Sequence, residues 1–132
     1  MTVGSWNPGA NANSGIDIQF LDHCLAIAQS ESINNIASAL SPEQSQMQGI
    51  VQLSDEQWQQ AVNHYNDEQL IALIRFFTLI ETQLTHWDAG AQSPVIKINH
   101  VLKNRGVKLD KTVLQWIRKN SSNRFLPNGA IF

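Results

Sequence analysis

The chain has 132 residues, 42% of them hydrophobic and 15% charged, with a formal net charge of −2. That length suits one domain able to bury most of its apolar surface, and the single cysteine, Cys24, excludes an internal disulfide framework. No apolar run approaches the ~20 residues that cross a bilayer. The opening MTVGSWNPGANANSG has neither the basic start nor the apolar stretch of a secretory signal, so a cytoplasmic location without membrane contact is expected.

The small net charge hides a division. Residues 1–94 carry ten acidic groups against Arg75 alone, a balance of −9. Residues 95–132 carry Lys97, Lys103, Arg105, Lys108, Lys111, Arg118, Lys119 and Arg124 against Asp110, a balance of +7. Either the basic end meets nucleic acid or an acidic partner, or it folds back onto the acidic half.

In chain order, residues 1–15 are rich in Gly, Asn and Ala and read as a flexible segment, with Trp6 as a group that could dock on the body. From Ile16 to about Ser30 the spacing of Ile16, Phe20, Leu21, Cys24, Leu25, Ile27 and Ala28 predicts a helix. A break follows near residues 30–32 before Ile33, Ile36, Ala37 and Leu40 resume helical spacing. Three helix starts are then spelled out in the same chemistry: Ser41-Pro42-Glu43-Gln44, Ser54-Asp55-Glu56-Gln57 and Asn66-Asp67-Glu68-Gln69. In each, a capping side chain bonds the amide three residues on, while Gln reaches back to the cap's own amide. Leu53 with Trp58 and Tyr65 with Leu70 add an apolar staple. The first start has Leu40 but only Ser45 at the matching place, and is the weakest of the three.

Asp55 to about Tyr65 therefore reads as a short helix with Trp58, Ala61, Val62 and Tyr65 inward. The stretch of about 67–87 is the centre of the fold: Leu70, Leu73, Ile74, Phe77, Ile80, Leu84 and Trp87 recur at three- and four-residue spacing. Ile71, Phe76 and Leu79 widen that stripe, so other helices must surround it. The helix is expected to end near Gly90 as a left-handed cap. Ser93-Pro94 starts the next helix, running from Val95 to Asn104 and stopping at Gly106. Asp110 caps the last, with Val113, Leu114, Trp116 and Ile117 inward, before a Pro127-Asn128-Gly129 turn signal. No segment alternates as a strand would.

Chemistry-bearing motifs are absent from the sequence. His23, His64, His86 and His100 stand in no metal-ligand spacing, and there is no phosphate loop, nucleophile elbow or zinc motif. His23 and Cys24 are adjacent, and adjacent helical residues point apart. No enzyme, cofactor or metal is expected. Arg75 and Glu81 interrupt the most apolar helix; either they emerge at a narrow solvent edge or they mark a polar cleft.

The basic end is the stronger candidate. Helices at 95–104 and 111–120 around a Gly-containing turn resemble a helix-turn-helix in layout, offering Lys103, Arg105, Lys111, Gln115, Arg118, Lys119 and Arg124 to a ligand. The turn is longer than usual and the pI of about 6.0 is not that of a dedicated DNA binder. Phe125, Leu126, Ile131 and Phe132 either complete the core or form an apolar patch for a partner.

The runs HWDAGAQSPVIKINHVLKNRG and WIRKNSSNRFLPNG, within residues 86–129, resemble a group of small, largely helical bacterial proteins of uncharacterised function. The resemblance implies a bacterial cytoplasmic protein and assigns no functional residue. The expectation is an all-α, single-domain bundle of five to six helices over residues 16–132, its core including Leu70, Leu73, Ile74, Phe77, Ile80, Leu84, Ile98, Leu102, Leu114 and Ile117. The expected role is a non-catalytic protein-binding or regulatory module, with self-association as a homodimer one form of it. Nucleic-acid binding through the basic helical hairpin at 95–124 is the alternative.

Overall fold

A computed structural model describes residues 16–123 and 125–128. The expectations for residues 1–15, Arg124, Ile131 and Phe132 lie outside the described residues. The described chain is all-α, with seven α-helices: α1 (Ile18–Ala28), α2 (Ile36–Ala39), α3 (Pro42–Ser45), α4 (Asp55–Val62), α5 (Asp67–Gln83), α6 (Pro94–Asn104) and α7 (Lys111–Asn120). Two of them, α2 and α3, are single turns joined to their neighbours by 3-10 segments at Glu31–Asn35 and Gln48–Gln52.

Local chemistry starts most of these helices. Asp17 caps α1, Ser93 caps α6 and Asp110 caps α7, each accepting from an amide of the first turn. All three capping boxes close, at Ser41/Gln44, Ser54/Gln57 and Asn66/Gln69, with side chain and amide bonded in both directions. The Ser41 box forms even without its staple, because the two reciprocal bonds satisfy orphan amides by themselves.

Helix α5 is the centre, packed on by α1, α2, α6 and α7, while α4 leans on α6. It buries Leu70, Leu73, Ile74, Phe76, Phe77, Thr78, Ile80 and Glu81. Thr78 has no solvent exposure and returns its hydroxyl to the Ile74 carbonyl at 2.7 Å, which removes the cost of burying it. Trp58 meets Phe77 edge-on at 5.5 Å, Phe76 meets Phe77 at 5.0 Å, and Trp87 stacks on Phe20 at 6.2 Å. The Trp58 indole donates to the Ile50 carbonyl at 3.1 Å, so the ring is buried without an orphaned donor.

Two expectations are corrected here. The central helix ends at Gln83, not near Gly90: Leu84 is extended and a 3-10 turn covers Thr85–Trp87. The reason is the Ser45 carbonyl, reached by both the His86 ring at 2.7 Å and the Trp87 indole at 3.0 Å. Adjacent residues of a continuing helix point apart and could not share one acceptor. Gly90 is left-handed (φ 56°), but it serves the turn after that break. Leu84 and Leu114 are only partly buried and rim the core. Helix α6 does stop at Gly106 (φ 79°), where Gly106 and Val107 amides bond the Lys103 and Leu102 carbonyls, each at 2.9 Å.

Candidate functional site

The histidines and the cysteine are occupied by the fold. His23 bonds the Ala39 carbonyl at 3.0 Å, His86 the Ser45 carbonyl, and His100 the Asp55 carboxylate at 3.0 Å; His64 lies against the Tyr65 ring. Cys24 has no solvent exposure, and burial pushes its thiol well above the usual range. Among the described residues no group of three His, Cys, Asp or Glu side chains could hold a metal ion.

Arg75 and Glu81 part company. Arg75 is exposed, its guanidinium 5.8 Å from the centre of the Trp116 ring. Glu81 is buried, at 5% exposure. The Ser93 hydroxyl donates to one carboxyl oxygen, and Asn123 Nδ2 donates to the other at 3.3 Å and to the Gly90 carbonyl at 3.0 Å. Burial raises the carboxyl to about 7, against hydrogen bonds from Ser93 and Asn123 that lower it and a further rise from Asp88. Glu81 thus ties the start of α6 and the C-terminal segment to α5. The solvent-edge reading holds for Arg75 and fails for Glu81, whose burial depends on Ser93 and Asn123 arriving from later in the chain.

The basic end divides in two. Arg105 lies back across the surface of the acidic half: it donates to the Tyr65 carbonyl at 2.9 Å, the Asn63 carbonyl at 3.1 Å and the Asp67 carboxylate at 3.0 Å. Lys97, 6% exposed, donates to the Leu53 carbonyl at 2.7 Å and lies 3.6 Å from Asp55. These cations fold back onto the acidic half. Lys111, Gln115, Arg118 and Lys119 instead form one exposed face of α7, whose opposite face buries Val113 and Ile117. Lys103 and Lys108 are also exposed. Among the described residues none of Lys103, Lys108, Lys111, Arg118 and Lys119 makes an ion pair.

The hairpin layout is not that of two helices packed on each other. Both α6 and α7 lie on α5 and touch each other sparsely, and α6 is buried on nearly every side from Pro94 to Asn99. Only α7 offers a free polar face. Of the apolar candidates, Leu126 is buried and belongs to the core, while Phe125 is partly buried beside Gly90.

A cleft of about 430 Å³ opens where the turn after α6 meets α7 and Asn128. Val107, Leu109 and Leu114 supply its apolar lining; Lys103 and Lys108 bring cations, and Asn99 and Asn128 amides. Asn99, 2% exposed, donates from Nδ2 to the Pro127 carbonyl at 3.0 Å and Asn128 Oδ1 at 3.3 Å. Its own Oδ1 has no hydrogen-bond partner. Lys103 Nζ donates to Asn128 Oδ1 at 2.9 Å. The candidate list from the sequence omitted Asn99, Lys108 and Asn128. An asparagine directly after Ile98, ahead of Val101 and Leu102 in the same helix, was the one available signal for Asn99.

No protein-family model, curated protein or solved structure matches the chain. Among the described residues no helix is long and apolar enough to cross a membrane.

Proposed function

We propose that the protein is a non-catalytic binding module that receives an acidic segment of a partner protein at its basic C-terminal end. One observation carries the reading: the cations are sorted. Arg105 and Lys97 are spent on Asp67, Asp55 and backbone carbonyls, whereas Lys103 and Lys108 stay exposed at a partly apolar cleft and Lys111, Arg118 and Lys119 stay exposed along α7. Unpaired charge beside apolar surface suits a partner contact better than it suits the isolated fold. The lone buried Cys24 suits a reducing compartment such as the cytoplasm.

A labelled peptide of alternating Glu and Leu, amidated at its C-terminus and followed by fluorescence anisotropy at low salt, tests this. It binds the protein, and charge reversal at Lys111, Arg118 and Lys119 abolishes binding. Binding that survives this reversal contradicts the reading. Light scattering in parallel shows whether the partner is a second copy; the homodimer form requires a doubled mass at low salt.

Nucleic acid is the second reading, favoured by the Lys111, Gln115, Arg118 and Lys119 face of α7. The burial of α6 and the sparse contacts between α6 and α7 support it less than the protein-contact reading.

A further inference from the structure

Three parts of the chain meet on the Glu81 carboxyl: α5, the start of α6 through Ser93, and the segment after α7 through Asn123. They are held unequally. Ser93 is fully buried and caps α6, whose first residues are buried on nearly every side. Asn123 is half-buried and stands beyond the end of α7. It is also the hub of its segment. Its side-chain oxygen accepts from the Phe125 amide at 3.0 Å, its carbonyl accepts from the Leu126 amide at 3.2 Å, and its Nδ2 spans Glu81 and the Gly90 carbonyl.

The carboxyl is badly placed to carry charge. It is buried, both its donors are neutral, and no described cation pairs with it. Arg75 lies over Trp116, Lys97 is held by Leu53 and Asp55, and Lys111, Arg118 and Lys119 are exposed on α7. His86 is bonded to Ser45, and on α1 His23 bonds Ala39 while Asp22 accepts from Tyr65. Asp88, in the turn before α6, adds a charge of the same sign. Arg124 belongs to the segment but lies outside the described residues.

We infer that Glu81, Ser93 and Asn123 form a proton-operated latch: the neutral carboxyl holds the C-terminal segment on the bundle, and ionisation releases it. Asn123 is the member that leaves, because Ser93 cannot move without α6. A cavity of about 370 Å³ between the end of α7 and the segment is lined in part by Asn123, and gives water the way in. The bonds from Ser93 and Asn123 favour the carboxylate, but burial outweighs them and lifts the group from 4.5 to about 7. Opening therefore releases a proton. Its equilibrium constant grows with pH between 4.5 and about 7, by at most about tenfold per unit, and levels off above. Release uncovers Ile117, which lines the same cavity beside Arg118, and so adds apolar surface to the basic face of α7.

Native-state hydrogen exchange of the full chain, corrected for intrinsic rates and stepped through pH on both sides of 7, reads this opening. The Phe125 and Leu126 amides open ahead of core amides such as Leu102, and their opening constant rises with pH before levelling off. In Glu81→Gln, which has no proton to lose, the constant no longer changes with pH. In Asn123→Ala the Leu126 amide is unprotected at every pH while Leu102 stays protected, a result that holds the test open should Glu81→Gln fold poorly. Opening that is independent of pH in the wild type overturns the inference. So does pH-dependent protection of Leu126 that survives in either variant, or exchange of Phe125 and Leu126 only in step with Leu102.

Discussion

The Ser93 hydroxyl donates to the Glu81 carboxyl across the junction between α5 and α6, with both side chains buried. Ser93 Oγ also accepts from the Val95 amide at 3.2 Å, so one hydroxyl caps a helix and satisfies a buried acid. Burial raises the Glu81 carboxyl from 4.5 to about 7, so the folded protein holds a proton that the unfolded chain releases. This contribution is fully present below pH 4.5 and is lost as pH rises through about 7. Chemical denaturation at stepped pH values should show the wild type losing stability relative to Glu81→Gln across that window, by up to a few kcal/mol. A difference that stays constant with pH would refute it.

Arg105 and Lys103 make a paired prediction. Arg105 ties the turn after α6 to Asn63, Tyr65 and Asp67, two of the three bonds going to carbonyls. Arg105→Ala should cost about 1–3 kcal/mol in urea denaturation, and Arg105→Lys should recover little because an ammonium lacks the fork. Lys103→Ala should stay within about 0.5 kcal/mol, because its one bond, to Asn128 Oδ1, joins two exposed side chains. Equal costs would mean the cations are not sorted between fold and surface.

Gln83 is a second tie on α5. Its Oε1 accepts from the Ile36 amide at 2.7 Å and its Nε2 donates to the Ile33 carbonyl at 3.1 Å, holding the turn that leads into α2. Gln83→Ala should destabilise by about 1–3 kcal/mol, since both backbone groups lose their partner. Hydrogen exchange at Ile36 should quicken in the same variant. A protein as stable as the wild type, with Ile36 still protected, would show the contact to be incidental.

Cys24 should be silent in the native state. Its thiol is fully buried and held protonated by that burial, so a chromogenic disulfide reagent should react only as fast as the chain opens. Denaturant should raise the rate to that of a free thiol. Rapid native reaction would mean that α1 detaches readily from α5.

Much of this architecture was legible because its signals are local. The boxes at Ser41, Ser54 and Asn66 need only four residues each, and the stripe from Leu70 to Ile80 needs only helical periodicity. What the sequence concealed is set by contacts between distant segments. The end of α5 at Gln83 depends on Ser45, some forty residues earlier; Glu81 is buried by Ser93 and Asn123. The charge division between the halves was plain, but which cations stay free was not. Arg105 and Lys103 look alike in the sequence, and only the fold sets one against Asp67 and the other beside the cleft. The unmet acceptor of Asn99 is likewise a property of the packed chain.

The most direct measurement sets the amidated Glu/Leu peptide against labelled mixed-sequence DNA and RNA in one anisotropy series across salt concentration. The proposed role predicts binding of the peptide and none of comparable strength for either nucleic acid. It also predicts that charge reversal at Lys111, Arg118 and Lys119 removes the peptide. Tight nucleic-acid binding that falls steeply with salt and vanishes in the same variant would contradict it, and would make the free face of α7 a phosphate-binding surface.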